Sequence, residues 1–371
     1  MNAAAPRVWE GRVLTPQGFL PARLHVEDGR IARVEEARVD ETNMILPGFI
    51  DLHCHGGGGA DVMEAGDAAR TTARTHARRG TTAFLATTMT APVDEIEPAL
   101  AAAEAASRVQ GADEAAILGV HLEGPFISRD RLGAQPDFVI PGDVGIMERL
   151  MALASIRVVT CAPEADPDGA LTRFLSDRGV RVQIGHSSCN YETACRCFES
   201  GRHGVTHMFN AMTPLHHRAP GIVGAALAHA AYAELIPDLL HVHPGAIRAA
   251  LRAIPGLYAV TDATAASGMP DGDYKLGRQP VRKCDNGVRL ADGTLAGSCL
   301  TMIEAFRNLA SIGLSIEEAS RRTSSIAADY LGLEDRGRIA SSLIADFVVL
   351  NPSLALQSVV LRGREIEPAD A

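Results

Sequence analysis

Lysine is nearly absent from this sequence. The chain has 371 residues, and Lys275 and Lys283 are its only two lysines, although arginine is abundant. A mechanism that needs a lysine side chain would have to use one of these two, and both lie late in the chain. The sequence therefore excludes chemistry built on a lysine from any earlier segment.

Long apolar runs are also absent. No stretch approaches the roughly 20 uninterrupted apolar residues that a membrane-spanning helix needs. The first residues, MNAAAPRVWEG, have neither the basic end nor the apolar core of a secretory signal. We therefore expect a cytoplasmic protein.

Positive net charge is lacking as well. The formal net charge is -10 at pH 7, so nucleic acid and anionic membrane surfaces would be repelled and are not expected as partners. A small anionic substrate stays possible if a few cations are placed locally.

The cysteines lack the spacing of a structural zinc site. Seven are present, and Cys189, Cys195 and Cys197 lie close together in the sequence without forming the paired Cys-x-x-Cys pattern. An odd number of cysteines without a secretory context predicts reduced thiols.

The two ends of the chain have the sequence pattern of short strands separated by turns. Near the N-terminus, EDGR is a hairpin signal between two strand-like runs. The last segment, from GRIASSLIADFVVL to VVLRGREI, has the same sequence pattern. We predict one small β-sandwich domain built from both termini, with residues 1–47 as its N-terminal part and residues 336–371 as its C-terminal part.

The segment between these ends alternates between β-branched runs and alanine-rich stretches of helical period. Helices are predicted at DEIEPALAAAEAASRVQ and YETACRCFESG. The strand-like runs are FIDLHCHG, TTAFLATT, ILGVHLEGP, IRVVTCAPE, VRVQIGHSS, GVTHMFNAM, AELIPDLLHV and LYAVTDATA. Eight strands in strand–helix alternation predict a parallel sheet closed into a (β/α)8 TIM barrel over residues 48–335. A hairpin insertion is expected within KLGRQPVRKCDNGVRLADGTLAGS, before a last helix.

Two histidines one residue apart stand at the end of the first barrel strand. Side chains two apart on a strand share a face, so His53 and His55 would point the same way and Cys54 the opposite way. Two imidazoles on one face could share a metal ion. The glycine run that follows, residues 56–59, would leave room for a substrate close to the backbone.

Ionisable residues also end several later strands. In a barrel these ends converge on one mouth, where active sites form. His121 and His203 could be structural histidines and are left out of the set. The predicted metal ligands are His53, His55, Glu123, His186, His207 and Asp262. Imidazole and carboxylate groups suit one or two divalent ions, and zinc, iron, manganese and cobalt all accept such ligands.

The ligands divide into two sets. His53, His55 and Asp262 are expected at one ion and His186 with His207 at the other. Glu123 would touch one ion or both. Some barrel hydrolases place a carbamylated lysine between two ions. This chain has no lysine before Lys275, so that arrangement is excluded here. A metal-bound water has a lowered pKa, and Asp262 could accept its proton and return it to a leaving amine, so the site predicts amide hydrolysis.

The motifs resemble those of the amidohydrolase superfamily, and within it the N-acetylglucosamine-6-phosphate deacetylases. The matching stretches include LPGFIDLHCHGG, HLEGPFIS, THMFNAM and VTDATAASG, and the resemblance covers almost the whole chain. It implies hydrolysis of the N-acetyl group of an amino-sugar 6-phosphate by one or two divalent ions, with Asp262 as the catalytic residue. His-x-His on the first strand resembles the two-metal type.

The resemblance also implies a set of substrate contacts. Arg218 matches a phosphate-binding arginine, which can come from a neighbouring subunit and so implies a homodimer. The implied substrate-binding residues are Ala134, Gln135, Asn210, Ala211, Arg218, His241, Leu295, Ala296 and Gly297.

Two departures from the family pattern bear on the substrate. Gln135 stands where the family often has a histidine that contacts the acetyl carbonyl. Leu239 replaces a glycine, and we expect it to narrow the space near the sugar or phosphate. Three alternatives stay open: the galactosamine epimer, another N-acyl substrate such as an unphosphorylated sugar or an N-acyl amino acid, and a catalytically inactive barrel that binds sugar phosphate.

Overall fold

The computed structural model describes residues 7–39 and 42–369. The strands are β1 Arg7–Thr15, β2 Gly18–Glu27, β3 Arg30–Glu36, β4 Met44–Pro47, β5 Phe49–Cys54, β6 Gly56–Gly57, β7 Ala60–Asp61, β8 Thr81–Thr88, β9 Ala116–Glu123, β10 Ile156–Thr160, β11 Arg181–Ile184, β12 Gly204–Val205, β13 Tyr232–Leu235, β14 Gly256–Ala259, β15 Gly272–Leu276, β16 Gln279–Cys284, β17 Gly287–Arg289, β18 Phe347–Leu350, β19 Leu356–Leu361 and β20 Arg364–Ile366. The helices are α1 Ala68–Ala77, α2 Val93–Arg108, α3 Val144–Met151, α4 Ala170–Ser176, α5 Tyr191–Glu199, α6 Gly221–His229, α7 Pro244–Ala253, α8 Met302–Ser311, α9 Ile316–Thr323 and α10 Ser325–Leu331.

The two chain ends meet in one seven-stranded sheet. Its strand order is β20-β19-β18-β4-β1-β2-β3, so strands from the C-terminal end complete a sheet begun at the N-terminal end. The junction is antiparallel and pairs Phe347 with Pro47. The sheet has its own apolar core, in which the rings of Trp9 and Phe347 meet edge to face at 5.1 Å. The prediction that both termini build one β unit is confirmed.

The central segment forms the predicted barrel. Strands β5, β8, β9, β10, β11 and β12 form one parallel sheet, and β13 pairs with β14 in parallel. Backbone hydrogen bonds close the ring. Met208 N–H donates to the carbonyl of Glu234 at 2.8 Å, and Asp262 N–H donates to the carbonyl of His53 at 2.9 Å. The (β/α)8 fold is confirmed.

The elements follow from their sequence patterns. All eight residues of β8 (TTAFLATT) are buried, as expected for a parallel strand covered on both faces. Helix α2 buries Ile96, Ala99, Leu100 and Ala103, which share one face at helical spacing. Its first turn holds Asp94 and Glu95, whose charges suit the positive end of a helix.

Two predicted hairpins are present. The EDGR signal forms the turn between β2 and β3, with Asp28 at φ 49° and Gly29 at φ 77°. Two successive positive φ angles are the conformation that matches the twist of paired strands. The insertion before α8 is a three-stranded antiparallel sheet of β15, β16 and β17.

The glycine run after His55 does not make room for a substrate, so that expectation is wrong. Gly56 and Gly57 form β6, which pairs with β7 against helix α1. A Cβ at Gly57 would lie 2.8 Å from His76 Nε2, and one at Gly58 would lie 2.2 Å from Thr75 Oγ1. Gly57 and Gly58 therefore allow close packing against α1.

Within the described ranges, no helix is both long enough and apolar enough to span a membrane. All seven cysteines are free thiols.

Candidate metal centre and active site

The strand ends of the barrel bring the six predicted ligands into one mouth. His53 lies on β5 and Glu123 on β9, while the other four follow the ends of β5, β11, β12 and β14. All six are buried. Their ligating atoms form two groups of three, and within each group these atoms lie within 4.8 Å of one another.

The first group is His53, His55 and Asp262. The Nε2 atoms of His53 and His55 are 3.2 Å apart, so the two imidazoles share a face as predicted. Asp262 Oδ1 lies 3.2 Å from His55 Nε2 and 3.5 Å from His53 Nε2. Cys54 points the other way, with its Sγ 3.5 Å from His76 Nε2.

The second group is Glu123, His186 and His207. The Nε2 atoms of His186 and His207 are 3.0 Å apart, and Glu123 Oε1 lies 3.2 Å and 3.1 Å from them. The other oxygen of Glu123, Oε2, lies 3.3 Å from His55 Nε2. Glu123 therefore contacts both groups, whereas the sequence left open whether it would touch one ion or both.

Hydrogen bonds fix which ring nitrogen faces the centre. His186 Nδ1 donates to the carbonyl of Arg131 at 2.8 Å, and His53 Nδ1 donates to Glu234 Oε2 at 2.9 Å. The Nε2 lone pairs of both rings then point inward. A carbonyl or carboxylate on the far nitrogen is the usual support of a metal-binding histidine.

Glu234 was not predicted as a functional residue. It lies on β13, is completely buried, and also accepts the backbone N–H of His207 at 3.2 Å. A glutamate inside an otherwise apolar strand is rarely buried without a partner. That signal was present in the run AELIPDLLHV.

The ionisable side chains of the mouth shift one another's pKa values. Burial would lower the pKa of His55, but Asp262 and Glu123 raise it to about 9. Burial would raise the pKa of Asp262, but His53 and His55 lower it to about 2. Asp262 is therefore ionised at neutral pH.

The arrangement fits divalent cations. His186 Nε2 presents a lone pair to His207 Nε2, and a cation between two such nitrogens can accept both lone pairs. Nitrogen and carboxylate oxygen donors, three to a group, match catalytic zinc and related first-row metal sites. The described residues thus include groups that could hold a divalent metal.

Backbone strain is concentrated at this mouth. His186, His207 and Asp262 have φ angles of 47°, 26° and 51°, and Phe209 and Ala211 are also positive. Side chains rarely occupy this region because the Cβ crowds the backbone, and such residues cluster at functional sites. The turns at His186, His207 and Asp262 each place a candidate ligand at the mouth.

A cavity of about 220 Å³ opens beside the two groups. Ala134, Gln135, Asn210, Ala211, His241, Leu295 and Gly297, all predicted substrate contacts, line it. Sequence reasoning missed further lining residues, which are Met89, Gly133, Ile236, Leu276 and Thr294. Three of these are apolar, and nothing in their local sequence distinguishes them from core residues.

Two predicted substrate residues lie elsewhere. Ala296 is fully buried and packs in the apolar cluster under the β15–β17 insertion. Arg218 lies on an exposed loop, residues 214–219, and donates to the neighbouring His217 Nε2 at 2.7 Å. This subunit alone does not bring Arg218 to the cavity.

Leu239 does not line the cavity, contrary to the expected narrowing. Its side chain packs against the barrel core. Its φ of 65° is a conformation that suits the glycine of the family pattern. The next residue but one, His241, donates from Nδ1 to Asp238 Oδ2 at 2.6 Å.

The two histidines left out of the metal set have other partners. His121 Nδ1 contacts the carbonyl of Leu52 at 3.0 Å, and its Nε2 contacts Thr160 Oγ1 at 2.8 Å. Burial lowers the pKa of His121 to about 4. His203 Nδ1 accepts the backbone N–H of Val182 at 3.3 Å.

Comparison with known proteins gives consistent matches. The profile of the amidohydrolase family matches residues 44–366. The chain is 39% identical to N-acetylglucosamine-6-phosphate deacetylase of Lysinibacillus sphaericus, over 91% of this chain and 92% of that protein. It is 37% identical to N-acetylgalactosamine-6-phosphate deacetylase of Escherichia coli O157:H7, over 95% and 97% of the two chains.

A solved structure matches over the same length. It is a mutant N-acetyl-D-glucosamine-6-phosphate deacetylase of Mycobacterium smegmatis in complex with N-acetyl-D-glucosamine-6-phosphate. Its TM-score is 0.89, with 31% identity over 98% of this chain and 99% of that one.

Proposed function

This chain belongs to the amidohydrolase family, and we propose that it hydrolyses N-acetylglucosamine 6-phosphate to glucosamine 6-phosphate and acetate. The observation that carries the proposal is the meeting of four imidazoles and two carboxylates at the ends of five barrel strands, beside a cavity. The relatives align with this chain over nearly their whole length, and their names support the substrate class.

We assign the six ligands to one or two divalent cations. His53, His55 and Asp262 would hold one, and Glu123, His186 and His207 the other. When bound by these residues, a divalent cation would supply Lewis-acid chemistry, polarising the amide carbonyl and lowering the pKa of water.

Asp262 acts as the general base and then the general acid. A nearby opposite charge favours the ionised form of a carboxylate, so a cation bound beside Asp262 would keep it ionised at neutral pH. The Asp262 carboxylate would accept a proton from the attacking water and deliver it to the amine as the C–N bond breaks. The products are acetate and the free amino sugar.

Four other cavity residues bind and orient the sugar. Ile236 and Leu276 supply apolar surface, and Asn210 and His241 supply polar groups. We propose that Arg218 of a second copy completes the phosphate site, so that the enzyme works as a homodimer. We also propose a cytoplasmic location, on the sequence features given above. The support for a second copy is the exposed position of the loop that carries Arg218.

N-Acetylgalactosamine 6-phosphate is the second candidate substrate. It is favoured by the 37% identity to the Escherichia coli enzyme named for that substrate. The two sugars differ only in the configuration of one hydroxyl, so the same metal chemistry serves both.

The test is acetate release from a panel of substrates after loading the protein with Zn²⁺, Mn²⁺, Co²⁺ or Fe²⁺. The panel holds both N-acetylhexosamine 6-phosphates, N-acetylglucosamine without phosphate, and an N-acetyl amino acid. We expect the largest kcat/KM for N-acetylglucosamine 6-phosphate. A larger value for the galactosamine epimer would favour the second candidate. If no substrate released acetate from the metal-loaded protein, the proposal would be wrong.

A further inference from the structure

The side chain of Gln135 is fully engaged by the protein. It is 4% exposed. Its Oε1 accepts the backbone N–H of Thr90 at 2.7 Å, and its Nε2 donates to Glu123 Oε2 at 2.5 Å. The same nitrogen lies 3.5 Å from Met89 Sδ, a weak acceptor.

These contacts fix the orientation of the amide. A backbone N–H can only donate, so the oxygen of Gln135 has to face Thr90 and the nitrogen has to face Glu123. The two amide hydrogens are then directed at Glu123 and Met89. Neither is free for a substrate carbonyl, which is the contact that the family resemblance implies for this position.

The hydrogen bond also divides the roles of the two Glu123 oxygens. Oε2 receives the Gln135 amide, while Oε1 lies 3.2 Å and 3.1 Å from the Nε2 atoms of His186 and His207. A donor on Oε2 holds the carboxylate plane in place and leaves Oε1 for a cation. Partners of this kind keep metal-ligating carboxylates in a productive orientation.

We propose that Gln135 is a positioning residue that orients Glu123 for the cation held with His186 and His207, and that it does not bind the acetyl group. The inference rests on the metal site of the proposed function. It makes Thr90, Gln135 and Glu123 one linked unit, in which a backbone amide sets the position of a metal ligand through one side chain.

The experiment measures the affinity of the full-length apoprotein for Zn²⁺ by competition with a chromogenic chelator. Gln135→Met keeps the length of the side chain and removes both hydrogen bonds. We expect this change to weaken Zn²⁺ binding by about 10- to 100-fold. At saturating Zn²⁺ we expect KM for N-acetylglucosamine 6-phosphate to stay within about twofold of wild type and most of kcat to be restored.

Two further variants separate positioning from packing. Met89→Leu changes the surface beside the same amide but keeps the bonds to Thr90 and Glu123, so we expect Zn²⁺ affinity within about twofold of wild type. Gln135→Asn keeps the amide on a chain one methylene shorter, which cannot span Thr90 and Glu123. Gln135→Asn should therefore also weaken Zn²⁺ binding. It replaces Gln135→Met in the test if Gln135→Met does not fold.

The outcomes distinguish this inference from the proposed function. Unchanged Zn²⁺ affinity in both Gln135 variants would overturn the positioning role and leave the deacetylase proposal intact. Unchanged affinity together with a raised KM would instead assign Gln135 to the substrate. A wild-type protein that bound no Zn²⁺ would overturn the metal site itself.

Discussion

At the scale of single residues, Glu234 links the two ligand groups. One of its oxygens accepts from His53 Nδ1, which belongs to the first group, and from the backbone N–H of His207 in the second. The carboxylate is completely buried, and these contacts help keep it ionised, since burial raises its pKa but His53 lowers it further. A change at Glu234 should therefore affect both halves of the site.

Glu234→Gln should weaken Zn²⁺ binding by about 10- to 100-fold, because a neutral amide holds His53 less firmly than a carboxylate does. Chelator competition on the apoprotein measures this change. Tyr258→Phe is the matched control. It removes the long 3.4 Å bond from the Tyr258 hydroxyl to Glu234 and the 2.9 Å bond that this hydroxyl accepts from Gln183 Nε2, but it keeps the bond between His53 and Glu234. Equal losses in both variants would contradict a specific role for the carboxylate.

Asp262→Asn should lower kcat by about 10²- to 10⁴-fold, the usual contribution of a general acid–base group. An asparagine amide keeps the size of the side chain but cannot take up the proton of water. Acetate release at saturating metal and substrate measures the effect, with bound metal determined on the same sample. A metal-loaded variant with kcat within tenfold of wild type would assign proton transfer to another group.

At the scale of elements, three of the six candidate ligands, His186, His207 and Asp262, stand on turns beyond the strand ends. The expected strand GVTHMFNAM ends at Val205, because His207, Phe209 and Ala211 all have positive φ. Each such residue costs roughly 1–2 kcal/mol of backbone strain. Hydrogen bonds such as that from Met208 N–H to the carbonyl of Glu234 hold this turn in place.

The sequence therefore predicted the barrel and the meeting of the six candidate ligands at one mouth, because their strands carry a strong apolar pattern that ends in an ionisable side chain. It failed where position depends on distant partners. Gly57 and Gly58 are explained by their contact with α1, and Leu239 is explained by its packing against the barrel core. Glu234 was missed because its partners, His53 and His207, are far from it in sequence.

Helix α1 carries a buried histidine that should make the fold sensitive to acid. His76 donates to the carbonyl of Gly56 at 2.9 Å, and burial lowers its pKa from 6.5 to about 4. Between these two values the unfolded chain binds a proton that the folded chain does not. The contribution of His76 to the free energy of unfolding is therefore fully present above pH 6.5. It decreases by about 3 kcal/mol as the pH falls towards 4.

His76→Gln should remove that part of the pH dependence, because glutamine can donate to Gly56 without titrating. Melting temperatures of wild type and variant between pH 7 and pH 4 measure the effect. We expect the two curves to converge as the pH falls. Parallel curves would show that His76 takes up no proton on unfolding.

At the scale of the whole molecule, the exposed loop at residues 214–219 carries Arg218, which does not line the cavity of its own chain. If Arg218 serves a neighbouring subunit, Arg218→Ala should raise KM for the phosphorylated sugar by about 10- to 150-fold, which corresponds to about 1.5–3 kcal/mol for bonds to a charged group. Turnover of N-acetylglucosamine without phosphate is the internal control and should not change. An unchanged KM would remove Arg218 from the phosphate site.

Dilution gives a second test of assembly. A phosphate site shared between subunits is lost when subunits separate, so specific activity on the phosphorylated sugar should decrease once the protein is diluted below the dissociation constant of the dimer. Activity measured against protein concentration, beside analytical ultracentrifugation, shows whether the two transitions coincide. Constant activity through the dissociation range would contradict a shared site.

The sheet built from both chain ends has a consequence for biosynthesis. Strand β4 pairs with β18, and about 300 residues separate Pro47 from its partner Phe347. At about 5–20 residues per second, a ribosome needs about 15–60 s to supply that partner. During this interval β4 presents an unpaired edge of the kind that promotes aggregation. A nascent chain that stalls before β18 emerges would keep this edge uncovered, and so would be a natural client for chaperones.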